Sequence, residues 1–102
     1  MAVVGVDLGG TTLTVLVADA TGAIIGRIDT VTPDTVDNSG LQDFLLDTIT
    51  DACDRAGVDP NTVAAVGVAA VGPIEGTALC NPVNLPNVDR VDIVKPIEDR
   101  YG

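Results

Sequence analysis

The chain has 102 residues with 15 acidic and five basic side chains, no His, no Trp, and only Phe44 and Tyr101 as aromatics. At a net charge of -10, with one Lys and four Arg scattered among carboxylates, it lacks the clustered cations that a phosphate backbone requires, so no nucleic-acid partner is expected. Hydrophobic residues make up 46%, too many for a disordered chain, yet the longest apolar run, 63–71, is far short of the ~20 residues that cross a bilayer, and no membrane partner is expected.

Residues 2–8 are a β-branched apolar run ending in Gly9-Gly10, the pattern of a buried strand entering a tight turn. Residues 13–18 are a second such run. Asp19-Ala20-Thr21-Gly22 supplies turn chemistry, with Gly for positive φ and Asp for local backbone bonds. Residues 23–31 make a third, more amphipathic strand nearer a sheet edge, so the three predict an antiparallel meander. After the polar stretch 34–40, Ser39 with Gln42 has the capping-box spacing of a helix start. Leu41, Phe44, Leu45, Ile49, Ala52, Cys53 and Ala56 follow at helical spacing, while Asp43, Asp47 and Asp51 line a solvated face. Gly57 is placed to end that helix, and Asp59-Pro60 bars its continuation.

Residues 63–71 are apolar on both faces, which predicts a central strand covered on each side and ending at Gly72-Pro73. Glu75-Gly76 turns a short hairpin into 77–80, and 81–87 form a loop. Val91, Val94, Ile97 and Tyr101 predict a helix from near Asp92, with Pro96 in its first turn. The fold class is α/β, a three-strand meander plus a parallel strand with helices. A further parallel strand is expected where the sequence stops at Gly102, so the chain reads as incomplete at its C-terminus.

Thirteen of the fifteen acids are Asp, a short and strongly hydrated side chain. Such a surface suits high intracellular salt, where the Debye length falls to about 3 Å at 1 M, and a haloarchaeal source is expected. Cys53 and Cys80 stand 27 apart with no C-x-x-C and no His, and read as small buried hydrophobes ahead of a disulfide or a metal site. The N-terminus has no positive n-region and is interrupted by Asp7, so no signal peptide and a cytoplasmic location are expected.

The strongest chemical signal is Asp7-Leu8-Gly9-Gly10-Thr11-Thr12. Glycines let backbone N–H groups approach an anion, and hydroxyls add donors, so the turn can cradle phosphates. An adjacent Asp can hold Mg²⁺ through water, because Mg²⁺ keeps several waters and takes few carboxylates. The glycine spacing is neither that of a dinucleotide fingerprint nor that of a Walker loop, and a strand follows in place of a helix. If strands one and four are parallel neighbours, Gly72-Pro73 leaves the sheet at the same carboxyl edge, where open α/β sheets bind ligands.

The combination resembles the ROK sugar kinases (bacterial-type glucokinases, fructokinases and N-acetylhexosamine kinases) of the actin-like ATPase superfamily. The resemblance rests on 5–12, on the Asp19–Gly22 turn, on Ala56-Gly57, on strand 66–73 with its Gly72-Pro73 end, which stands where the family has a Gly-x-Gly-x-x-x-Gly-Pro strand, and on Asn84-Leu85-Pro86, in register along essentially the whole chain. It implies a ribonuclease H-like N-terminal lobe, of which 1–102 is the first part, and an ATP-dependent kinase phosphorylating a hexose hydroxyl in a cleft between two lobes. On this resemblance Gly9, Gly10, Thr11 and Thr12 cradle the phosphates of ATP, Asp7 places Mg²⁺ through water, and Gly72, Pro73 and Asn84 lie near the sugar. Two departures stand out. Thr12 occupies a position where the family usually has Lys. The family's catalytic Asp, in a Glu-Asn-Asp-Ala motif on the next strand, its zinc-binding cluster and its second lobe are absent, so this chain alone is expected to be inactive.

Other readings carry less. An N-acetylhexosamine kinase or an activator-ATPase relative would share the turn but take another substrate. A ROK-type regulator needs a helix-turn-helix before the phosphate motif, and Met1 stands six residues before Asp7. A stand-alone binding module would need no second lobe. An uncovered fourth strand also predicts a homo-oligomer, through strand pairing or an exchanged element.

Overall fold

Strict alternation along the first strands dictates the architecture. In the computed structural model, which describes residues 1–9, 11–70, 74–80, 82 and 85–101, β1 (Val3–Leu8) and β2 (Thr12–Ala18) bury every second side chain. Val4, Val6, Leu8, Leu13, Val15 and Val17 all point to one face. With β3 (Ile24–Val31) they form the expected antiparallel meander, and β4 (Ala65–Ala70) adds to β1 in parallel, giving the order β3-β2-β1-β4. Asp19 holds the turn between β2 and β3 by accepting from the Thr21 and Ala23 amides at 2.9 and 3.1 Å.

Helix α1 (Asn38–Ala56) covers that apolar face with Leu41, Leu45, Ile49, Ala52 and Cys53, all buried. Its approach to β3 is close enough that a Cβ on Gly26 would lie 2.9 Å from the Ala56 Cβ and 3.0 Å from the Ala52 carbonyl oxygen. Gly57 ends the helix in the left-handed region at φ 70°, as expected, while its start differs. Asp37 is the N-cap, its carboxylate accepting from the Gly40 amide at 2.7 Å, so the Ser39–Gln42 box is not formed. Gln42 is drawn off by a tertiary partner, donating to the Asp92 carbonyl at 2.9 Å.

The second half departs further. β5 (Ile74–Glu75), β6 (Ala78–Cys80) and β7 (Arg90–Asp92) make a separate antiparallel sheet in the order β5-β6-β7. The helix expected from Asp92 is therefore shortened to α2 (Lys95–Tyr101), because Val91 is claimed by pairing with Leu79. Asp92 instead caps it, accepting from the Val94 and Lys95 amides at 2.9 Å each. Tyr101 ties α2 to α1 by donating to the Leu46 carbonyl at 3.1 Å.

β4 was expected to be central and covered on both sides. Among the described residues it has one neighbour only, β1, and its residues alternate between half-buried and exposed. Its small Ala and Gly side chains leave the outer edge open beside an apolar groove of Val66, Val68, Val94, Ile97 and Tyr101. Cys53 is buried, as expected, and burial pushes its thiol pKa up; both cysteines are free.

Candidate functional site

The strand directions bring the chemistry to one edge. β1, β3 and β4 all end there, β2 begins there, and α1 starts just beyond Thr32. Leu8 of β1 stands in register with Ala70 of β4, so the two strands end side by side at this edge. Gly10, Gly72, Pro73 and Asn84 lie outside the described residues.

Gly9 donates its amide to the Thr12 carbonyl at 2.8 Å, closing the turn. That amide is spent inside the protein, so Gly9 shapes the turn, and the exposed hydroxyls of Thr11 and Thr12 are the side-chain donors an anion would meet. The space above Gly9 is tight: a Cβ there would approach the Thr12 Oγ1 to 3.2 Å. The end of β3 secures the turn from behind, with the Thr32 amide donating to the Thr11 carbonyl at 2.9 Å. Thr32 itself is buried, and its hydroxyl has no partner among the described residues. No motif in the sequence marked Thr32, because its part depends on β3 ending against the turn.

Asp7 is exposed. The alternation that buries Val6 and Leu8 turns it to the opposite face, so its carboxylate escapes the desolvation cost expected of an Asp closing an apolar strand. Across that face it is in register with Thr14, whose hydroxyl donates to Asp29 at 2.8 Å. Hydrogen bonds from Arg27 and Thr14 hold the Asp29 carboxyl below the usual aspartate value. Asp29 is thus occupied, and Asp7 is left as the carboxylate next to the turn.

The loop before β7 closes the other side. Leu85 and Pro82 are buried and anchor it, and Asn87 donates to the Thr35 carbonyl at 3.2 Å. Asn38, in the first turn of α1, donates to the Asp89 carboxylate at 2.7 Å and accepts from the Asp89 amide at 3.3 Å. That pair, with the Arg90 amide, lowers the Asp89 pKa. The resulting polar cleft between α1 and the loop includes Asp37, Asn38, Asn87 and Asp89.

The donor set suits a phosphate group that arrives with its own cation. The turn offers hydroxyls and no Lys or Arg, and the edge carries Asp7, Asp37 and Asp89, so a bare polyphosphate would be repelled. Asp7 is the carboxylate placed to accept from the waters of a hydrated cation, which would reverse that sign. Among the described residues no group of three His, Cys, Asp or Glu could ligate a metal directly. The Asp43–Asp47–Asp51 stripe is exposed on α1, a solvated face.

The model of the family described as "ROK family" matches residues 3–102. No curated protein matches the chain in sequence. Among solved structures the chain is similar to a ROK family glucokinase from Streptomyces griseus in complex with glucose and AMPPNP, at 29% identity and a TM-score of 0.70, covering 100% of this chain and 31% of that one. It is similar also to the ROK hexokinase from Thermus thermophilus, at 27% identity and a TM-score of 0.80, covering 100% of this chain and 33% of that one. The chain thus spans about a third of the length of these relatives.

Proposed function

This chain belongs to the ROK family, and from that premise we propose that the full-length protein is a sugar kinase that transfers a phosphoryl group from ATP to a hexose hydroxyl, glucokinase-like in substrate. The observation that carries the reading is the Gly9–Thr12 turn. It presents two exposed hydroxyls beside an exposed Asp7 at the carboxyl edge of the sheet, in a chain 29% identical to a glucokinase solved with glucose and AMPPNP.

Thr11 and Thr12 donate to phosphate oxygens, and Thr32 holds the turn in place through the Thr11 carbonyl. Asp7 accepts hydrogen bonds from the waters of Mg²⁺, which when bound neutralises charge on the transferring phosphoryl group. Gly72, Pro73 and Asn84 take their place beside the sugar on the strength of the family resemblance. Thr12 in place of the family's usual Lys shifts charge neutralisation to the metal, so turnover should depend steeply on Mg²⁺. On the family resemblance, the residue that accepts the sugar hydroxyl proton belongs to a Glu-Asn-Asp-Ala segment of the full-length protein. The acidic surface fits function in concentrated KCl in the cytoplasm.

A coupled kinase assay on the full-length protein in molar KCl with Mg²⁺, across glucose, fructose, mannose and N-acetylglucosamine, tests this. ATP-dependent turnover of glucose is expected. Turnover of N-acetylglucosamine alone would move the assignment to the acetylhexosamine kinases, and a folded protein silent on all four would overturn the kinase reading.

A further inference from the structure

Residues 32–38 run from the end of β3 into the first turn of α1 and are bonded at both ends to parts of the candidate site. At the start, the Thr32 amide donates to the Thr11 carbonyl of the phosphate turn at 2.9 Å. At the other end the loop before β7 grips the connector. Asn87 donates to the Thr35 carbonyl at 3.2 Å, and the Asn38 side-chain amide donates to the Asp89 carboxylate at 2.7 Å. The Asp89 backbone amide returns a bond to the Asn38 side-chain oxygen at 3.3 Å. In between, the Val36 amide closes a turn on the Pro33 carbonyl at 3.3 Å. Neither end is free to drift: Thr32 is buried, Asp37 is committed to the α1 cap, and Pro82, Leu85 and Val88 bury the apolar side of the loop. Energetic coupling travels through contiguous hydrogen bonds and packed elements of this kind.

We propose that Asn38 and Asp89 are positioning residues: through the 32–38 connector they hold the loop that carries Asn84 in a fixed place relative to the Gly9–Thr12 turn, so that sugar and nucleotide strengthen each other's binding. The identity of the two ligands rests on the sugar-kinase reading, while the link itself rests on the hydrogen bonds alone. The side chains suit a link more than a helix start. Asp37 already caps α1, and the half-buried Asn38 spends its amide on a partner 51 positions away. Leu85 and Val88, each 4% exposed, already anchor the loop in the core. The polar pair therefore fixes where the loop stands more than whether it folds, since an exposed hydrogen bond adds little net stability. Coupling of this kind is reciprocal, so an ordered phosphate turn favours the sugar loop as much as the loop favours the turn.

Calorimetric titration of the full-length protein with glucose, with and without Mg²⁺ and AMPPNP, tests it. In the unaltered protein the nucleotide should tighten glucose binding about fivefold or more, and Asn38→Ala should cut that gain to about twofold or less. Asn38→Asp should do the same, because Asp suits the first turn of a helix yet here faces the Asp89 carboxylate. Asp89→Asn keeps the Oδ1 acceptor and should retain the gain. An undiminished gain in Asn38→Ala overturns the proposal. So does glucose binding weakened by the same factor with and without nucleotide, which is loop anchoring alone. Amide hydrogen exchange on the same proteins needs no ligand. Asn38→Ala should speed exchange of the Thr32 amide about 10-fold or more and leave that of Val15, in the sheet core, unchanged. Equal protection of Thr32 in both proteins overturns the link. An unaltered protein that binds neither ligand, with Thr32 exchange still governed by Asn38, counts against the kinase reading alone.

Discussion

The two faces of the four-stranded sheet are built by the same strands to opposite ends. Toward α1 stand Val4, Val6, Leu8, Leu13, Val15 and Val17, each buried, with Gly26 reduced to a hydrogen so that Ala52 and Ala56 can close on it. On the other face stand Gly5, Asp7, Thr14 and Leu16, half-buried or exposed, around a pocket that nothing among the described residues fills. Stability is concentrated on the first face, and chemistry is released to the second and to the edge where both meet. Period-two alternation makes this possible, since neighbouring residues such as Leu13 and Thr14 answer to different demands.

The comparison breaks most sharply at those two neighbours. Leu13→Ala opens a cavity against α1 and should cost about 2–5 kcal/mol in urea unfolding of the full-length protein. Thr14→Ala loses one exposed hydrogen bond to Asp29 and should cost about 1 kcal/mol or less. Equal losses would mean that the open face is as critical to folding as the covered one. At the edge, Asp7→Asn keeps the shape and removes the charge; it should lower kcat about 100-fold in the sugar kinase assay while leaving the unfolding midpoint unchanged.

Glycines sharpen the contrast between faces. Gly26→Val drives methyl groups into Ala56 and the Ala52 carbonyl and should destabilise by about 1–3 kcal/mol, read by thermal melting. Raising KCl from 0.1 M to 3 M should increase the melting temperature, because the 15 acids repel one another and salt screens them; a flat response would undo the halophile reading. The smallest effect belongs to Asp29. Its pKa is lowered on folding by Arg27 first and Thr14 second, so its contribution to stability is present above the unfolded aspartate pKa and lost as pH falls through the folded one. Asp29→Asn should slightly flatten the acid limb of the stability curve, and an unchanged limb would show that pairing across this exposed face contributes nothing.

How much was legible depended on whether the signal was local. The meander, the Asp19 turn and the Gly57 terminus were readable because alternation, an Asx turn and a positive φ are each set within a few residues. The Gly9–Thr12 turn was readable for the same reason, although the internal use of the Gly9 amide was not. Val91 and Val94 fit a helical spacing, yet pairing with Leu79 made a strand of the first. Ser39 and Gln42 fit a capping box, yet Asp92 drew Gln42 away and Asp37 took the cap. In each case a partner some 12 to 50 positions distant outweighed a local preference of about 1 kcal/mol.

By itself, then, the sequence determined the sheet's period, the turn that faces phosphate and the end of α1, since all three follow from side-chain sterics and backbone chemistry over short spans. Only the tertiary structure decided that β4 lies beside β1 in parallel, that Asp7 is solvated, and that Thr32 backs the phosphate turn. Those depend on which strands become neighbours, and neighbours are chosen by burial of the whole apolar face against α1.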